Sequence, residues 1–200
     1  MNTWIVLRAA GIGAYLMLFL SVAWGLASTT SLVTKHVAKP TSILFHQFTA
    51  SVGLALLTVH LGGVLLDRYM KFHPLDLLIP LRATYRPLAI GVGVVAMYAM
   101  VIVLVSSWTK RWMPTSWWRA LHLLAVPTFT LTMIHGLFAG TDSARPWMFA
   151  IYAGTGLLTL FLVLVRALTV GYRPARREHV PAAPPVRAGD VRQPSRASTS

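Results

Sequence analysis

The sequence predicts an all-α integral membrane protein, a five-helix transmembrane bundle. Three observations predict it. Of 200 residues 56% are hydrophobic and only 12% charged, whereas a soluble domain carries about a quarter charged residues. The charges are segregated into short segments between long apolar runs. Five of those runs reach the roughly 18 residues that are read as a membrane span.

The first span is expected at Ala9–Ala27. Arg8 follows the apolar stretch Trp4–Leu7 and does not form the charged start of a signal peptide, so Met1 is expected to begin the mature protein. The second span is expected at Ile43–Leu66, the third at Leu88–Ser106, and the fourth at Ala120–Ala139 with Pro127 inside it. The fifth, Trp147–Val165, opens on a tryptophan; Trp108, Trp112, Trp117 and Trp118 cluster around the third connector. These indoles read as interface anchors. Residues 173–200 hold six Arg and five Pro and cannot bury enough surface to offset their ordering entropy. The chain thus divides into a transmembrane domain over 1–170 and a disordered basic, Pro-rich tail over 171–200, expected to rest on anionic lipid head groups. No connector is long enough for a second folded domain. A flavin or nicotinamide fold is therefore not expected, and Gly11 with Gly13 and Gly91 with Gly93 lie inside apolar helices where they cannot cradle a pyrophosphate.

The net charge of +13 does not point to nucleic acid, because of where it sits. Twelve of the 18 basic residues fall in the first connector (Lys35, Lys39), the third (Lys110, Arg111, Arg119) and the tail from Arg166 onward. With five spans these places share one side, and Arg8, Arg68, Lys71, Arg82, Arg86 and Arg145 share the other. The positive-inside rule then puts the C-terminus in the cytoplasm and the N-terminus outside. The chain has no cysteine, which excludes disulfide scaffolding, iron–sulfur ligation and thiol chemistry.

Ionisable residues within spans are costly and mark function. Four histidines lie at membrane depth: His46 and His60 in the second span, His122 and His135 in the fourth. At about 1.5 Å rise per residue, each pair is separated by about 20 Å along its helix, which places one histidine near each edge of a hydrocarbon core about 30 Å thick. The two spans run in parallel, so His46 is able to face His122 on the cytoplasmic side and His60 to face His135 on the outer side. Two imidazoles on facing helices make a six-coordinate heme site, and two such levels make a ladder for electrons. The absence of C-x-x-C-H excludes covalent attachment and leaves b-type heme. Gly53 falls halfway between His46 and His60 on one helical face, where it would clear a flat macrocycle or simply admit a neighbouring helix. The gap from His122 to His135 puts that pair out of phase on an ideal helix, and a kink at Pro127 is the expected remedy.

Arg119, one turn before His122, is a candidate partner for a heme propionate or a marker of the interface; Arg82 and Arg86 are weaker candidates outside. His36, His73 and His179 read as solvated connector or tail residues, and Gly136 with Gly140 as a packing signal. The alternative reading is a non-heme polytopic membrane protein that uses the histidine pairs for metal or proton transport. Such a site normally needs carboxylates at depth, and the expected spans contain none.

The pattern His46–x13–His60 and His122–x12–His135 resembles the ferric-reductase-like transmembrane domain. That family includes ferric reductases, the membrane domain of NADPH oxidases and the heme-binding membrane subunit of a methionine sulfoxide reductase system. The opening Arg8–Leu16 and the stretch Trp118-Arg119-Ala120-Leu121-His122 look similar to that family too, and the likeness covers about residues 5–170. The resemblance implies two b hemes, an inner one on His46 and His122 and an outer one on His60 and His135. Many family members have six spans, and the reductases and oxidases continue into a flavin and nicotinamide domain. The resemblance therefore implies a separate flavoprotein or quinone as electron donor and an acceptor outside the cytoplasm.

Overall fold

The computed structural model describes residues 3–30, 33, 35–67 and 71–171. The basic tail from residue 172 onward, with its expected disorder, lipid contacts and His179, lies outside the described residues, as does Arg68. The described chain is helical: α1 Thr3–Ala27, α2 Lys39–Leu66, α3 Pro87–Trp108, α4 Thr115–Leu123, α5 Ala125–Ala139 and α6 Pro146–Gly171, with short 3-10 turns at Pro74–Asp76 and Lys110–Trp112. Helices α4 and α5 together make one span. Five helices are thus long and apolar enough to cross a membrane, which is compatible with a multi-pass membrane protein.

The helices begin earlier than the apolar runs. Charge and tryptophan end a hydrophobic run without ending a helix, so α1 carries Trp4 and Arg8, and α4 carries Trp117, Trp118 and Arg119. Proline marks three of the starts. Pro40 and Pro87 sit in the first turns of α2 and α3, and α6 opens on Pro146. There the missing N–H leaves no carbonyl unpaired. Arg86, just before α3, takes a left-handed φ of 42°, which turns the connector sharply into the helix.

Only 11–28% of the most apolar stretch of each span is buried inside the protein. The outward surface is apolar instead, with Leu66, Leu88 and Leu168 each about three-quarters exposed. So much contiguous apolar surface needs a non-aqueous neighbour.

Helix α1 is the hub. It packs along α2 and also against α5 and α6, while α3 packs on α4 and α5. The buried centre joins α1, α5 and α6. Tyr15 stacks on Phe129 with centroids 5.5 Å apart, meets Tyr152 edge-on at 5.2 Å and hydrogen-bonds Thr155 through its hydroxyl. A buried tyrosine needs such a partner for its hydroxyl. An Arg8–Asp142 ion pair ties α1 to the α5–α6 connector. At the other end Arg166 of α6 donates to the Thr29 hydroxyl at 2.5 Å. Helix α2, by contrast, packs closely on neither α4 nor α5. The two histidine-bearing spans are each backed by another helix and stand apart from one another.

Candidate functional site

The histidines meet as pairs. His46 and His122 face one another with ring centroids 5.9 Å apart and planes at 72°. His60 and His135 line a single cavity of about 530 Å³, well within the roughly 300–1,000 Å³ of small-molecule and cofactor sites. That cavity does not reach His46 or His122.

Each ring is held by its Nδ1. The Nδ1–H of His60 donates to the Leu7 carbonyl at 2.8 Å, that of His135 to the Ala89 carbonyl at 2.8 Å, and that of His46 to the Ser21 carbonyl at 3.0 Å. A carbonyl can only accept, so it fixes the proton on Nδ1 and leaves the Nε2 lone pair for a ligand. For His122 the partner is the Ser107 hydroxyl, at 3.4 Å. The acceptors lie on α1 and α3, the helices that back α2 and α4–α5. Glycines let the rings come so close. A Cβ built on Gly11 would lie 2.8 Å from the His60 Nδ1, and one on Gly93 would lie 2.5 Å from that of His135. Among the described residues no group of three or more His, Asp or Glu converges at one point. The chemistry on offer is two imidazole nitrogens, twice.

Between His122 and His135 the α-helix is interrupted at Leu124, where α4 gives way to α5. Pro127 has no N–H to give the Leu123 carbonyl, and Leu124 tightens onto Leu121 with a 3.1 Å bond of 3-10 type. The sequence placed the kink at Pro127; the break itself falls one turn earlier, where the missing hydrogen bond would have closed.

Other expected residues fall in varied places. Gly53 is buried and lines the cavity, but its missing Cβ would sit 3.2 Å from Met17 Cβ, so it chiefly admits α1. Arg119 is exposed on α4. Arg82 pairs with Asp76 at 3.2 Å, and Arg86 donates to the Phe138 carbonyl at 2.5 Å. His73 caps the turn Pro74–Asp76, accepting from the Leu75 N–H. Gly136 lies against the Tyr152 hydroxyl of α6, where its missing Cβ admits that helix, and Gly140 is the C-cap of α5.

Sequence reasoning missed Arg8 and Asp142, both of which line the cavity, because 134 residues separate the partners. It also read Trp118 only as an anchor. Trp118 stacks on His122 with centroids 5.1 Å apart, and Lys110 Nζ lies 3.8 Å above the indole. The spacing of four residues on one helix was the available signal. Comparison with protein-family models, with curated proteins and with solved structures finds no match.

Proposed function

We propose that this chain is a membrane b-type cytochrome that moves electrons across the bilayer through two bis-histidine heme sites. The inner site is held by His46 and His122, the outer by His60 and His135. The observation that carries this reading is the pairing of supported rings across helices that do not pack closely together: each Nδ1 meets a neighbouring helix, His60 and His135 line one cavity, and His46 faces His122. Such paired imidazoles on facing helices would hold a heme iron from both sides. The donor set fits a heme: two imidazole nitrogens per site, with glycines beside the rings. The paired spacing that resembles ferric-reductase-like domains supports the same reading.

Heme, when bound, supplies one-electron redox chemistry. The chain's own residues do the rest. The carbonyls of Leu7, Ser21 and Ala89 hold the imidazoles in one tautomer and raise their basicity. The apolar helices keep water from the sites. Lys35, Lys39, Lys110 and Arg111 present a basic face to a separate cytoplasmic flavoprotein or to quinone at the membrane, and the acceptor lies on the opposite side.

Heme-replete expression followed by a dithionite-reduced difference spectrum tests this. Low-spin b-type bands are expected. His46→Ala and His122→Ala should remove one heme, and His60→Ala and His135→Ala the other. A heme-free protein, or full heme retention in any of the four variants, refutes the assignment and leaves the transport reading.

A further inference from the structure

The supports of the histidines follow a register that the donor set alone does not require. Leu7 and Gly11, Ser21 and Gly25, and Ala89 and Gly93 each place a glycine four residues after the accepting carbonyl. In an α-helix the carbonyl of residue i points toward residue i+4. Without a Cβ at i+4, an imidazole from another helix reaches the carbonyl's second lone pair. The register recurs at 14 residues in α1, from Gly11 to Gly25, matching the spacing of His46 and His60 on the antiparallel α2. In α3 the same step leads from Ala89 and Gly93 to Val103 and Ser107. There a serine stands where the glycine is expected. Its hydroxyl donates to the Val103 carbonyl at 2.8 Å and lies 3.4 Å from His122 Nδ1. Ser106 also donates to that carbonyl, at 2.9 Å.

We propose that Ser107 is a positioning residue that relays the His122 Nδ1–H to the Val103 carbonyl, making His122 the most weakly held of the four histidines. This rests on the heme reading. With its own hydrogen spent on Val103, the Ser107 oxygen has only lone pairs to offer, so it still fixes the Nδ1–H tautomer. A hydroxyl at 3.4 Å polarises the imidazole less than a carbonyl at 2.8 Å does. His122 would therefore be the least basic of the four histidines, and a heme held by His46 and His122 would keep its ferric state less firmly than one at a carbonyl-backed site.

The test is an optical redox titration of the heme-loaded full chain, with the inner-site step identified as the one that His46→Ala abolishes. Ser107→Gly opens the carbonyl to the ring, and the inner midpoint is expected to fall while the outer one stays. A tenfold change in the reduction equilibrium would read as about 59 mV. Ser107→Ala keeps a Cβ in the way and removes the relay; inner heme retention should drop by about 10–100-fold. Ser107→Thr keeps a hydroxyl and should match the wild type, which separates loss of the relay from misfolding. Wild-type midpoints and retention in both Ser107→Gly and Ser107→Ala, with two hemes bound, would overturn the role of Ser107 alone. A heme-free wild type would overturn the heme reading and this inference with it.

Discussion

A glycine lies against the histidine ring in three of the four supports, and the closeness differs between them. A Cβ at Gly93 would stand 2.5 Å from the ring of His135, one at Gly11 2.8 Å from that of His60, and one at Gly25 3.4 Å from that of His46. The first two cannot be met without moving the ring off its carbonyl; the third is ordinary contact. Alanine substitutions should therefore be graded. Gly93→Ala and Gly11→Ala should each cost about 1–3 kcal/mol by overpacking and strip most heme from the outer site, whereas Gly25→Ala should leave the inner site nearly full. Heme-to-protein ratio and thermal unfolding of the three variants measure this. Equal damage from Gly25→Ala and Gly93→Ala would show that ring contact is not what the glycines serve.

Among the elements, the divided fourth span does the most for the site. On a continuous helix, at about 100° per residue, thirteen residues would leave His135 about 140° away from the face that carries His122. The helix is interrupted at Leu124 between them, and each ring meets its own support, Ser107 for one and Ala89 for the other. Pro127→Ala returns an N–H to the Leu123 carbonyl and should rewind the helix. One of the two ligands then leaves its partner, and cofactor retention at that site is expected to fall about 10–100-fold, read from heme content and the low-spin EPR signals. Unchanged occupancy would mean that packing, and not the proline, turns this span. The spans and the four histidines were legible in the sequence because length, apolarity and an imidazole inside an apolar run are one-dimensional signals. The kink was legible as Pro127, but its position was not, since the break falls at the acceptor of the lost hydrogen bond. The supports were illegible for a different reason. A main-chain carbonyl is present at every residue and leaves no mark in composition. Arg8 and Asp142 meet only through the fold.

For the whole molecule the proposal makes the 200-residue chain a conduit that needs a donor. Its described residues are a helical bundle, with no strand followed by a Gly-rich turn into a helix among them, the arrangement that binds a dinucleotide. The heme-loaded chain mixed with NADH or NADPH, without flavin or other protein, should stay oxidised. Prompt reduction of the heme would show a nicotinamide site in these residues and end the conduit reading.

The common register also relates two halves of the chain. Helices α1 and α2 form one antiparallel hairpin, α3 with α4–α5 another, and in both the first helix supplies the acceptors and the second the histidines, in the same order along the chain. Helix α6 stands outside this repeat, packed on α1 and α5. Each hairpin supports its own imidazoles, without a contact borrowed from the other. Two copies of one such hairpin, facing across an axis along the membrane normal, would present four histidines at two depths. The two hairpins differ at Ser107, which stands where the other three supports have a glycine, and at Leu124, where the second histidine-bearing helix is interrupted.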